Sequence, residues 1–321
     1  MALNDAMSFS KLTLKLEMND TEGSSVIADT FSQLLKRLSK LRALDLEFPA
    51  QFTEDDYSPR SGDFQSPALQ FQWAVLDSLG QSASSPSLSH ISLRNVTPWS
   101  VYSARQFTLP NILRHITHFS LTVKSSDTSQ HYTCPSLDHA AFWDPLDFLV
   151  ALNPDNVVSI CLENDFAGIS IEIPKEIRFP LLTHLKMDGF CFWSKGTLSD
   201  FIVRHGGSLE SLDLDGRYVF VDEKGHRTWA DLYQVFQGCL KNLQSFSTTF
   251  GSTGYLRMDA MDLSHYDAFD DELDSTTLEE DEILDDEESY AFIHQRDKQA
   301  LRLFLQAIDA QRASLINEAD R

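Results

Sequence analysis

One phrase, apolar-x-x-apolar-x-apolar, recurs along this chain and restricts its fold more than any other feature. The copies are Phe9-x-x-Leu12-x-Leu14, Leu41-x-x-Leu44-x-Leu46, Leu88-x-x-Ile91-x-Leu93, Ile116-x-x-Phe119-x-Leu121, Val157-x-x-Ile160-x-Leu162, Leu182-x-x-Leu185-x-Met187 and Leu209-x-x-Leu212-x-Leu214. An eighth, Leu243-x-x-Phe246-x-Thr248, is decayed. Measured at the last position, the spacings are 32, 47, 28, 41, 25, 27 and 34 residues. Side chains alternate along a strand, so the residue between the last two apolar positions points away from them. Each phrase therefore predicts a short strand with one buried face. The expected centres are Thr13, Asp45, Ser92, Ser120, Cys161, Lys186, Asp213 and Ser247.

The gaps hold helical pieces: SSVIADTFSQLLKRLSK, SPALQFQWAVLDSLG, AFWDPLDFLVAL, GTLSDFIVRHGG and WADLYQVFQGCLK. Asp138 and Thr228 suit helix starts, and Gly206-Gly207 supplies a stop. Strand, helix, strand at this spacing predicts parallel strands joined by right-handed crossovers. The expected fold is α/β, a leucine-rich-repeat solenoid with a curved parallel sheet and helices on the convex side. Each unit buries its apolar face only against its neighbours, which is why the phrase must recur. Trp73, Trp143 and Trp229 near helix starts, and Trp99 and Trp193 beyond strands, read as packing residues of the helical layer.

A length of 321 residues exceeds one ordinary core and suits an elongated repeat domain. The formal charge of −22 argues against nucleic acid or an anionic membrane as partner. Asp267 to Ser289 holds 13 acidic residues and no Lys or Arg, which leaves −9 for the remainder. That segment reads as a solvated, disordered loop. The expected organisation is a solenoid over 1–250, the acidic loop over 251–289 and a capping C-terminal helix over 290–321. In that helix Ala300, Leu301, Phe304, Leu305 and Ile308 share one face. Cys134, Cys161, Cys191 and Cys239 are far apart, predicting free thiols in a reducing compartment. No stretch reaches the ~18 apolar residues of a membrane span, so an intracellular location, cytoplasmic or nuclear, is expected.

The phrases FPLLTHLKMDGF, GTLSDFIVRHGGSLESLDLDG and LSHISL, with the terminal RDKQALRLFLQAIDAQR, resemble irregular leucine-rich-repeat proteins. More narrowly, they resemble the repeat region of fungal F-box proteins, over residues 9 to 250 and the last helix. The resemblance implies a non-enzymatic protein-recognition scaffold, a substrate receptor for a cullin-type ubiquitin ligase. A stand-alone protein-binding scaffold is the alternative. An F-box is not visible in this sequence; one upstream would imply a Skp-type adaptor as partner. Leucine-rich repeats place Asn or Cys three residues after the last apolar position, where Val96, Asp165, Phe190 and Arg217 stand here. The strand exits must then satisfy their backbone groups in another way.

No nucleophile elbow, zinc-protease motif, phosphate loop or dinucleotide fingerprint is present, so no enzyme, cofactor or metal is expected. The candidate binding surface is the concave strand face: His90, Arg94, His118, His184, Lys186, Asp213 and Asp215. Its expected charge runs from basic at Arg94 to acidic at Asp213 and Asp215. His90, His118 and His184 fall in one row, which makes binding there pH-sensitive.

Overall fold

A computed structural model describes residues 10–16, 24–38, 40–49, 67–81, 87–98, 112–124, 142–143, 147–165, 171, 173–192, 197–215, 218–221, 228–248, 254–257 and 287–319. The strands are β1 (Lys11–Lys15), β2 (Ala43–Glu47), β3 (His90–Val96), β4 (His118–Val123), β5 (Ser159–Asn164), β6 (His184–Asp188), β7 (Cys191–Phe192), β8 (Ser211–Asp215), β9 (Tyr218–Val221), β10 (Ser245–Ser247) and β11 (Gly254–Arg257). The helices are α1 (Ser24–Arg37), α2 (Pro67–Gln81), α3 (Asp147–Ala151), α4 (Thr197–Arg204), α5 (Trp229–Cys239) and α6 (Glu287–Ala319).

Eight strands form one open sheet in the order β1-β2-β3-β4-β5-β6-β8-β10, and every pairing is parallel. The register aligns the eight expected centres in one continuous row, from Thr13↔Asp45 through Cys161↔Lys186 to Asp213↔Ser247. The apolar positions form the opposite face. Leu44 and Leu46, Ile91 and Leu93, Phe119 and Leu121, Ile160 and Leu162, Leu185 and Met187, and Leu212 and Leu214 are all buried. They share one core with helix residues such as Phe31 and Leu35 of α1, Val75 and Leu79 of α2, and Phe201 and Ile202 of α4. At the two ends the packing thins: Leu12 and Leu14 of β1 and Phe246 of β10 are only partly buried.

A second, three-stranded parallel sheet, β7-β9-β11, was not legible as a separate element. Its strands follow β6, β8 and β10 in the chain, so each of these C-terminal units contributes one strand to each sheet. The turn between β6 and β7 needs Gly189. Its φ is +81°, and a Cβ there would lie 2.2 Å from the Asn164 carbonyl oxygen.

The strand exits find several substitutes for a uniform asparagine ladder. Buried Gln72 of α2 clamps Thr97: its Nε2 donates to the Thr97 carbonyl (3.0 Å), and its Oε1 accepts the Thr97 N–H (2.8 Å). Asn95, in the left-handed region at φ 57°, donates from Nδ2 to the Phe48 carbonyl. Elsewhere backbone bonds continue past the strand, as Lys124 N–H to Val96 O and Asp165 N–H to Val123 O.

Thr228 caps α5 through a capping box with Asp231. Gly206 follows α4 because α5 passes close: a Cβ there would lie 2.4 Å from the Cys239 carbonyl oxygen. Helix α6 lies on α5. Phe304 packs among Tyr233, Phe236 and Phe246, with Leu301 and Ile308 buried and Ala300 partly so. Leu305 departs from the expected face and is exposed. The buried contacts instead follow Asp297, Leu301, Phe304 and Ile308, a 4-3-4 spacing that carries Leu305 outward. Trp143 and Trp229 are buried and Trp73 partly so; Trp99, Trp193 and Asp138 lie outside the described residues. Most of the acidic segment, 258–286, lies outside them as well.

Candidate functional site

The residues between the apolar positions form the other face of the eight-stranded sheet, exposed or half-buried throughout. The first row across it reads Lys11, Ala43, His90, His118, Ser159, His184 and Ser211. The second reads Thr13, Asp45, Ser92, Ser120, Cys161, Lys186, Asp213 and Ser247. Most of these side chains are small and polar because nothing packs over them to reward a large apolar group.

The histidines come together as the register dictates. His90 and His118 stack with centroids 3.9 Å apart and planes 11° from parallel. His184 lies two strands further on, past Ser159. Burial, then the neighbouring His90 and His184, push the His118 imidazole below its usual pKa. Ser89, Thr117 and Thr183 each meet the Nδ1 of the next residue, at 2.8, 2.8 and 2.7 Å. Sequence reasoning missed these hydroxyls, although each immediately precedes a histidine of the row.

The charged candidates are more committed than their sequence positions implied. Arg94 binds Asp45 through two parallel N–H···O bonds of 2.9 Å and reaches Glu47 at 3.3 Å. Lys15 approaches Glu47 from the other side, at 3.8 Å. Lys186 binds Glu163 at 2.5 Å, and the Thr122 hydroxyl and the Cys161 thiol also donate to Glu163. Burial favours the neutral Glu163, but the bonds from Lys186 and Thr122 outweigh it and hold the carboxyl below its usual range. The same bond raises the Lys186 ammonium. Burial, then Glu163, push the Cys161 thiol up to about 11, so it is no thiolate nucleophile near neutrality.

The expected run from basic to acidic is therefore corrected at its basic end. Arg94 and Lys186 are neutralised where they stand, within a lattice of ion pairs. Asp213 makes no ion pair within 4.0 Å among the described residues, but it stands beside Lys186 in the ladder and adds to the raising of that ammonium. Asp215 pairs with Asp188 in the ladder, and its side chain lies outside the described set.

Among the described residues no group of three or more His, Cys, Asp or Glu is placed to hold a metal ion. Cys161, Cys191 and Cys239 are free, and no described helix is long and apolar enough to cross a membrane. No family model matches the chain, and neither a curated protein nor a solved structure matches it.

Proposed function

We propose that this protein is a non-enzymatic recognition scaffold of the leucine-rich-repeat type, binding a protein partner on the exposed face of its eight-stranded sheet. The observation that carries the reading is the register: eight parallel strands in chain order align their small polar residues into continuous rows on one open face. Such a face lets another chain approach closely, and its prearranged ion pairs need little reordering on contact. Solenoids commonly bind on this surface. The resemblance to fungal F-box repeat regions carries the narrower form, a substrate receptor for a cullin-type ubiquitin ligase.

Photo-cross-linking side chains at Ser92 and Ser120, on the face, and at Val150 and Leu303, on exposed helix positions, test the surface. A defined partner should be trapped from the first pair. Trapping from the helical positions alone would move the interface off the sheet. Binding of a purified Skp-type adaptor by the full-length gene product tests the ligase link; folded protein that ignores the adaptor leaves a stand-alone scaffold.

A further inference from the structure

The N-terminal ends of the parallel strands share one edge of the eight-stranded sheet. The turns that lead into the first four are tied together there. Arg42 N–H donates to the Ser10 carbonyl at 2.9 Å, Ser89 N–H to the Arg42 carbonyl at 2.9 Å and Thr117 N–H to the Ser89 carbonyl at 2.8 Å. The entries to β1, β2, β3 and β4 therefore form one continuous border, about 14 Å long at ~4.8 Å per strand spacing.

The charge of this border departs from that of the chain. Lys36 and Arg37 end α1, Lys40 and Arg42 stand between α1 and β2, and Arg114 lies in the turn before β4. All five are exposed, and none makes an ion pair among the described residues. Residues 30–44 and 78–126 contain neither Asp nor Glu, although the chain holds 48 of them. Acidic side chains return at the entries to β5 and β8, with Asp155 and Glu210. Complementing the negative end of a helix accounts for Lys36 and Arg37, but not for Lys40, Arg42 or Arg114.

At about 0.15 M salt, screening limits the reach of an exposed charge to ~8 Å. An anion at the border therefore meets the five local cations and little of the chain's charge of −22. About four extended residues, at ~3.3 Å each, cross the border from end to end. A brief acidic stretch of protein fits that length, whereas a long nucleic acid would run on to Asp155 and Glu210. Arg37, Arg42 and Arg114 present planar guanidinium groups, which match carboxylates in shape as well as charge. The chain's own acidic stretch, Asp267 to Ser289, leads into α6 at the far end of the sheet, six strand spacings from β2.

We propose that this border, with Lys36, Arg37, Lys40, Arg42 and Arg114, docks a short acidic segment of a partner protein. It lies beside the rows of the exposed face and does not depend on binding there. The test uses the full chain and a labelled peptide of alternating Glu and Ser, read by fluorescence anisotropy at about 0.15 M salt. The peptide should bind, with an affinity that falls as salt rises. K36E/K40E/R42E should weaken it about tenfold or more, while K175E/R178E/K241E, the same charge change at other exposed sites, should leave it within about twofold. In the unaltered protein, carbodiimide coupling should join peptide carboxylates to Lys36 or Lys40, which reads the site without any variant. No binding, equal losses in the two variants, or coupling spread evenly over the lysines would overturn the proposal. So would tighter binding of a single-stranded oligonucleotide of equal charge, or coupling of Lys36 and Lys40 to carboxylates of 267–289 in the peptide-free chain.

Discussion

His205 is buried with both ring nitrogens assigned: Nδ1–H donates to the Phe201 carbonyl (2.7 Å), and Nε2 accepts the Phe179 N–H (2.9 Å). Only the neutral ring can do both. Burial, reinforced by Arg204 and Arg178, lowers its pKa against the opposing pull of the Phe201 carbonyl. His118 shifts in the same direction. Below pH 6.5 the unfolded chain takes up protons that the folded chain resists, so stability is full above that pH and lost as pH falls through the folded-state values. The urea midpoint should drop between pH 7 and pH 5, and less steeply in His205→Ala. That variant should itself lose about 2–4 kcal/mol at pH 7.5, through a cavity and an orphaned Phe179 N–H. Gly189→Ala should cost about 1–3 kcal/mol, because the new Cβ meets a carbonyl oxygen and the left-handed φ resists a side chain. An unchanged melt in that variant would mean that the β6–β7 turn can open.

At the scale of elements, the docking of α6 combines packing with specific polar contacts. Buried Asp297 accepts the Ala230 N–H at 2.9 Å, in the first turn of α5, where the helix dipole favours a carboxylate. Arg296 reaches back to Asp231 of the capping box at 2.6 Å. Phe304→Ala should lose about 3–5 kcal/mol and Leu301→Ala about 2–5 kcal/mol. Exposed Leu305→Ala should stay within about 0.5 kcal/mol. Chemical melts of the three decide whether the 4-3-4 contact pattern holds; a cost at Leu305 equal to that at Leu301 would mean the helix is rotated. The strands follow the same logic. Leu212, fully buried between β6 and β10, should cost about 2–5 kcal/mol on truncation to Ala.

Across the whole molecule, each strand of the main sheet meets only its neighbours, so stability should be graded along the sheet. The C-terminal end is covered by α6 through Phe304, which packs on Phe246 of β10. At the other end β1 keeps Leu12 and Leu14 only partly buried. Amide exchange should therefore be slowest in β4 to β6 and fastest in β1. Equal protection in all eight strands would instead indicate one global unfolding unit. The ion pairs of the exposed face are partly solvated and worth only about 0–1 kcal/mol each, so their larger effect is to set which charges a partner meets.

The sequence by itself determined the eight strands of the main sheet, their order and the identity of the exposed rows, but not the second sheet β7-β9-β11. A period of two is a local property, and recurrence at similar distances leaves parallel neighbours in chain order as the solution that buries every apolar face. His90 and His118 could be placed side by side from that pattern alone. What the tertiary structure decided depends on groups far apart in the chain. Arg94 finds Asp45 and Glu47 from the preceding strand, Gln72 finds the backbone of Thr97, and Asp297 finds α5 across the acidic segment. Hydrophobic patterning acts through burial, which tolerates many partners, and so can be read along the chain. A hydrogen bond or ion pair needs a particular atom within about 3 Å, and that proximity exists only once the strands and helices have packed.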